Sequence, residues 1–230
     1  DHKYGYVLLD KKGTAIKVVD RTNPRRKWDW YQLGGRWTGF FKLKKGVMLF
    51  NTGKPGLMTD QAREGWADQA FKEDIDFEGM AEEASRKFGE FWDKVHAVLD
   101  QHDLIVPWNE MIKRAGMDPD ALDSEELSNR LDEVRRAYRS QKGLNALRKA
   151  KLDVWNIDSL LVPRDEYCRS GVINSCRTFA VVKNGEWYEK GEMGWWGCVS
   201  NEDKKWGEKY YELLRSIPNG TLLSVYDCHI

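Results

Sequence analysis

Lys27-Trp28-Asp29-Trp30-Tyr31-Gln32-Leu33-Gly34-Gly35-Arg36-Trp37-Thr38-Gly39-Phe40-Phe41 holds six aromatics, three glycines, one arginine and one aspartate in fifteen positions. The aromatics favour strand, and glycines permit positive φ and close backbone approach, so Leu33 to Arg36 reads as a tight turn or bulge between two short extended runs. Side chains alternate along a strand, which points Trp28, Trp30 and Gln32 one way and Asp29, Tyr31 and Leu33 the other. Two readings follow. In one, the stretch is a core hairpin whose glycines only shape a bend. In the other, it walls an aromatic pocket in which Arg36 grips an anion, because a guanidinium fork suits phosphate or carboxylate.

The rest of the composition bounds these readings. A chain of 230 residues can bury a full core, as one elaborated domain or two small ones. Lysine plus arginine and aspartate plus glutamate both total 37. That neutrality argues against a dedicated nucleic-acid coat and against an acidic DNA mimic, so nucleic acid is not the expected partner, although a local basic patch is compatible with it. No signal-like or membrane-spanning run is present, which gives the expectation of a cytoplasmic protein with no membrane partner. Cys168, Cys176, Cys198 and Cys228 lack CxxC spacing and read as reduced thiols, with neither metal nor cofactor expected. The chain starts at Asp1 rather than methionine, so processing or truncation, with a preceding strand left out, is expected.

Outward from the aromatic stretch, Tyr4 to Leu9 and Thr14 to Val19 read as a hairpin turning at Gly13, and Gly46 to Phe50 as a further strand. Asn51-Thr52-Gly53-Lys54-Pro55-Gly56 resembles a phosphate loop only in glycine and lysine content. From Thr59 the pattern turns helical: Asp60 to Phe71, Asp76 to Asp100, Trp108 to Ala115, Asp123 to Arg139 and Leu144 to Lys151. His96 and His102 are read as helix-surface or helix-end histidines. Arg130, Arg135, Arg136, Arg139, Lys142, Arg148, Lys149 and Lys151 form a basic tract, which is either a solvated helix face or a nucleic-acid contact. Strand character returns at Arg177 to Glu189 around Asn184-Gly185, a strong hairpin signal. A second aromatic and glycine patch follows, Gly191-Glu192-Met193-Gly194-Trp195-Trp196-Gly197. Ser200 with Asp203 reads as the cap of a helix carrying Trp206, Tyr210, Leu213 and Leu214. A last strand from Thr221 to Tyr226 leads into Asp227-Cys228-His229-Ile230, with Asp227 and His229 on one face.

The Asn23-Pro24, Lys27-Trp28-Asp29-Trp30-Tyr31, Gly34-Gly35-Arg36-Trp37, Gly191 to Gly197 and Asp227-Cys228-His229-Ile230 motifs together resemble a family of uncharacterised proteins found in bacteriophages and prophages. The resemblance spans both strand-rich parts of the chain. It implies a phage-encoded accessory protein acting in the host bacterial cytoplasm, and it supplies no reaction.

The expected fold is α+β: a mostly antiparallel sheet from residues 1–58 and 163–230 with packed helices, and a helical insertion over 59–162. Pooling both aromatic patches into one sheet predicts that distant segments meet. The first functional reading is a small, nucleotide-like ligand bound by Trp28, Trp30, Tyr31, Gly34, Gly35, Arg36, Trp37, Glu192, Trp195 and Trp196, with rings stacking a base and Arg36 holding phosphate. A second is a protein-interaction module that inhibits a host factor through its tryptophan-rich surface. In a third, a hydrolase or transferase uses His229 with Asp227 or Asp29 as general base. Oligomeric state is not legible in the sequence.

Overall fold

The computed structural model describes residues 5–20, 28, 30–55, 63–117, 125–152, 154, 156–194 and 197–229. Asp29, Trp195 and Trp196 lie outside the described residues, as do the side chains of His229, Lys54, Pro55 and residues 125–129. The fold is α+β, and the chain divides into two compact units, one of residues 1–75 with 179–230 and one of residues 76–178. In chain order the first unit supplies β1 (Gly5–Leu9), β2 (Ala15–Asp20), β3 (Trp30–Gly35), β4 (Phe41–Lys42), β5 (Phe50–Asn51), β6 (Lys54–Pro55), β7 (Trp66–Ala67) and β8 (Gln69–Phe71). The second is helical, with α1 (Phe77–Leu99), α2 (Trp108–Arg114), α3 (Glu125–Arg139), α4 (Lys142–Lys149) and α5 (Arg164–Asn174). The chain then returns to the first unit through β9 (Ala180–Lys183), β10 (Glu186–Glu189), β11 (Glu192–Met193), β12 (Val199–Ser200), α6 (Trp206–Ser216), β13 (Leu222–Ser224) and β14 (Tyr226–His229).

Turn chemistry accounts for the two clearest hairpins. Between β1 and β2, the Asp10 carboxylate accepts the Lys12 and Thr14 backbone N–H groups at 2.7 and 2.9 Å, and Gly13 takes φ +83°. Between β9 and β10, Asn184 and Gly185 sit at φ +53° and +80°, as a two-residue turn matched to strand twist requires. The strands form several small sheets rather than one. Two of them have three strands, ordered β13-β8-β5 and β14-β3-β6, and β3 with β6 is a parallel pair.

The last strand expected from the sequence is two strands joined at Val225. That residue is 4% exposed, donates its N–H to the Asp68 carbonyl at 2.8 Å and accepts from the Gly34 N–H at 2.9 Å. One continuous segment thereby leaves β8 and joins β3, which ties both three-stranded sheets to the same buried backbone.

In the helical unit, the Asp76 side chain caps α1 by accepting from the Gly79 N–H at 2.9 Å. The apolar stripe of α1 packs as its spacing predicts: Val95 joins Ile105, Leu147, Ile157 and Leu160 in one core, with Phe91, Trp92, Val98 and Leu99 against it. A second core joins Ile112, Met117 and Leu131. His96 stacks on Trp92 with 3.5 Å between ring centroids, and its Nε2 is hydrogen bonded to the Leu160 carbonyl at 2.9 Å. It is a packed helix histidine.

Four expectations need correction. The helix expected over Asp60 to Phe71 is absent from its described part, where β7 and β8 flank a fully buried Asp68; strand pairing with β4, β5 and β13 overrides the helical spacing of Trp66, Ala67 and Ala70. Residues 164–174 form a helix, whose apolar residues lack regular spacing and whose buried members are Cys168 and Gly171. The units therefore divide after Ile75 and after Thr178, not at 58 and 162. Ser200 belongs to β12, and it is Asp203 that receives the Lys205 N–H at 2.9 Å just ahead of α6. Among the described residues, no helix is long and apolar enough to cross a membrane.

Candidate functional site

The glycines of the aromatic stretch are fixed by two buried carboxylates. Gly34 and Gly35 end β3 at φ +72° and +58°, and the turn closes with hydrogen bonds from the Trp37 N–H to the Gly34 carbonyl (3.0 Å) and from the Thr38 N–H to the Gly35 carbonyl (3.2 Å). A β-carbon at Gly34 would lie 2.5 Å from Asp68 Oδ2, and one at Gly35 would lie 2.5 Å from Asp227 Cβ. Both positions therefore exclude side chains on space as well as on φ.

Asp68 is fully buried and gathers three loop amides. Its Oδ1 accepts the Gly39 and Phe40 N–H groups at 2.7 and 3.3 Å, and its Oδ2 accepts the Gly53 N–H at 2.8 Å. Sequence reasoning passed over this residue, since nothing in Trp66-Ala67-Asp68-Gln69 separates it from surface aspartates. Arg63, also unflagged, lies with its guanidinium carbon 3.5 Å from the Trp66 ring centroid and donates to the Gly39 carbonyl at 3.0 Å.

Asp227 is 2% exposed and binds Arg36. The Arg36 backbone N–H donates to Oδ2 at 2.9 Å, Nε reaches both oxygens at 2.9 Å, and Nη2 reaches Oδ1 at 2.5 Å. This forked pairing raises the Arg36 pKa: the hydrogen bonds to Asp227 and its charge outweigh the opposing effect of burial. The guanidinium expected to grip an external anion holds an internal one, while its side chain remains 52% exposed.

Strand register sorts the aromatic candidates between two faces. In the antiparallel β3·β14 pair, Tyr226 is opposite Leu33, Asp227 opposite Gln32, Cys228 opposite Tyr31 and His229 opposite Trp30. Directly opposed residues share a face, so Tyr31, Leu33, Tyr226 and Cys228 lie on one side, and Trp30, Gln32 and Asp227 on the other. Arg36 follows Asp227, away from Tyr31.

On the tyrosine side the rings form a chain. Trp187 packs on Trp28 with centroids 5.0 Å apart, Trp28 meets Tyr31 edge-on at 6.3 Å, and Tyr31 meets Tyr226 edge-on at 5.7 Å. The strand just before the second aromatic patch thus reaches the first. Tyr31 is 63% exposed and Tyr226 46%, and Trp37 at the turn is also exposed. Glu192 stands in the separate β11·β12 ribbon, where it accepts from Asn201 at 3.1 Å. The Cys228 thiol is pushed up in pKa, first by burial and then by the neighbouring Asp227 charge. None of the four cysteines is in a disulfide, and among the described residues no group of histidine, cysteine and carboxylate side chains could hold a metal ion.

The chain matches no family model, no curated protein and no solved structure. The geometry of the site sets what it can do. It offers an open aromatic face, a half-exposed guanidinium neutralised from behind, and backbone amides already taken by Asp68.

Proposed function

We propose that this is a phage-encoded accessory protein that acts in the infected bacterial cell by engaging a host protein through the aromatic face of β3 and β14. The observation that carries this reading is the ring chain ending in two solvent-exposed tyrosines, Tyr31 and Tyr226. Tyrosine and tryptophan supply large contact area with few torsions to freeze, which is why such residues anchor protein interfaces. The phage setting rests on the motif resemblance.

A second reading is supported by the opposite face, where Trp30 and Arg36 stand on the Asp227 side of the ribbon with Arg36 half exposed. A planar, anionic small molecule of nucleotide type fits that pair, with the ring stacked and the phosphate at the outer edge of the guanidinium. The enzyme reading asks Asp227 or Asp29 to serve His229; both oxygens of Asp227 are engaged by Arg36, and Asp29 and the His229 side chain lie outside the described residues.

The deciding experiment compares three tagged forms purified from infected host cells: wild type, Tyr31→Ala/Tyr226→Ala, and Trp30→Ala/Arg36→Gln. A host protein retained by the wild type and by the second variant, but lost from the tyrosine variant, is the expected result. Equal retention by all three forms rejects the interface. A small molecule found by mass spectrometry with the wild type and missing only from Trp30→Ala/Arg36→Gln moves the site to the other face.

A further inference from the structure

The zero net charge of the chain is a sum, and it hides a strongly uneven stretch. Between Val134 and Leu152 the sequence carries Arg135, Arg136, Arg139, Lys142, Arg148, Lys149 and Lys151 and not one carboxylate. All seven side chains are exposed. We propose that the outer flank of α3 and α4 is a contact surface for the phosphate backbone of nucleic acid.

The placement of the cations supports this. At about 100° per residue, Arg135, Arg136 and Arg139 fall within one flank of α3, while Leu131, Val134 and Tyr138 turn inward to the cores. Arg148 of α4 donates from Nη1 to the Arg139 carbonyl at 3.1 Å, which brings a cation of the second helix to the C-terminal end of the first. Arg135 is paired with Asp132 at 3.0 Å and Lys142 with Asp103 at 3.4 Å. Among the described residues, no carboxylate is paired with Arg136, Arg139, Arg148, Lys149 or Lys151.

Helix ends do attract cations, because the macrodipole leaves their last carbonyls partly negative. That effect is confined to the last turn and is met by one or two charges per end. Arg136 and Arg139 in the last turn of α3, and Arg148 and Lys149 in that of α4, fill this allowance; Arg135, Lys142 and Lys151 go beyond it, and like pairs such as Arg135 with Arg139 at i,i+4 work against the helix.

Lys151 points the same way. It occupies the left-handed position that closes α4, at φ +55°, with the Leu152 N–H bonded to the Leu147 carbonyl and its own N–H to the Arg148 carbonyl at 3.0 Å each. The same closure ends α2 with Gly116 at φ +67°. Glycine fits this position without strain and lysine does not. At α4 the chain keeps a cation where backbone geometry favours glycine.

The chemistry selects phosphodiester over a lipid surface. Among the described residues from Val134 to Leu152, no large apolar side chain is exposed that could enter a bilayer. Arginine forks match phosphate oxygens in pairs. Among the described residues no exposed aromatic stands among the cations to stack a base, and phosphate contacts alone carry no sequence information, so binding is insensitive to sequence.

The test is fluorescence anisotropy of the full chain with a labelled duplex of about 20 base pairs, a single-stranded DNA and an RNA of the same sequence. The expected result at about 50 mM salt is a dissociation constant of about 1–100 µM for at least one of them, and the tightest identifies the physiological class. For the duplex, about four neutralised phosphates give a slope of log K against log salt near −3.6. Arg136→Glu/Arg139→Glu weakens binding about tenfold or more, Lys11→Glu/Lys12→Glu in the β1–β2 turn changes it less than about twofold, and both keep the wild-type circular dichroism. If the charge reversal unfolds the chain, Arg136→Gln/Lys149→Gln takes its place, with a loss of about threefold or more expected. No binding by the wild type, equal losses in tract and turn variants, or a slope shallower than about −1 overturns the proposal. Binding to vesicles of anionic phospholipid as tight per phosphate as to nucleic acid overturns it as well.

Discussion

Asp68 and Asp227 are both buried carboxylates, and they do opposite work. Asp227 neutralises a side chain, Arg36, whereas Asp68 collects backbone amides from the loops around Gly39 and Gly53. Replacing Asp68 with asparagine puts an N–H₂ donor against either the Gly39 or the Gly53 amide and removes the charge that strengthens the remaining bonds. We expect a loss of about 2–4 kcal/mol, read as a lower urea midpoint with unchanged slope. A variant within about 0.5 kcal/mol of wild type would show that those loops are held by something else. The sequence marks Arg36, Gly34 and Gly35 as special because their residue types are costly or unusual in such a stretch. It does not mark Asp68, whose importance is only that of being fully enclosed next to three orphan N–H groups.

At the scale of elements, α3 is anchored to its unit by Tyr138. Its hydroxyl donates to Asp158 Oδ1 at 3.3 Å, and the same carboxylate accepts the first N–H of α2, from Trp108, at 3.0 Å. Burial, with the Asp158 charge and hydrogen bond adding to it, pushes the Tyr138 pKa up to about 12. The protonated phenol is thus the form that the folded chain favours. Its contribution is fully present below the unfolded value near 10 and is lost as pH rises from about 10 to about 12. Over that window the wild type is expected to lose stability that Tyr138→Phe does not lose, about 1 kcal/mol once solvent screening of the half-exposed phenol is allowed for, as read by chemical denaturation at each pH. Parallel pH profiles for the two proteins would refute the assignment. The helices α1 to α4 were legible from apolar spacing and from Pro107 and Gly116, since each buries a regular stripe. Helix α5 was not, because Cys168 and Gly171 are small, irregularly spaced contacts that carry no periodic signal. The strands β7 and β8 were misread as helix for the converse reason: their alanines and aromatics fit a helical spacing, and only pairing with β4, β5 and β13 makes them extended.

For the molecule as a whole, the helical unit has cores drawn from its own residues, which gives it what an independent fold needs. A fragment of residues 76–178 is therefore expected to be helical by circular dichroism and to unfold cooperatively; a fragment that is disordered in isolation would make the division one of contacts and not of folding. The strand-rich unit is drawn from both ends of the chain, so folding it must bring residues 30–35 to residues 226–229, and such long-range pairing forms late relative to local helix contacts. The sequence by itself determined the α+β class, the turns at Gly13 and Asn184-Gly185, the main amphipathic helices and the importance of the Leu33 to Arg36 bend, because each rests on local geometry or on the spacing of apolar residues. Only the tertiary structure decided that Asp227 occupies Arg36, that Asp68 pins the glycine loops, that Val225 joins two sheets, and that the tyrosines and the guanidinium face opposite ways. Those outcomes depend on which distant segments pair and in what register, and a register is fixed by the burial of the whole unit, not by the composition of either strand.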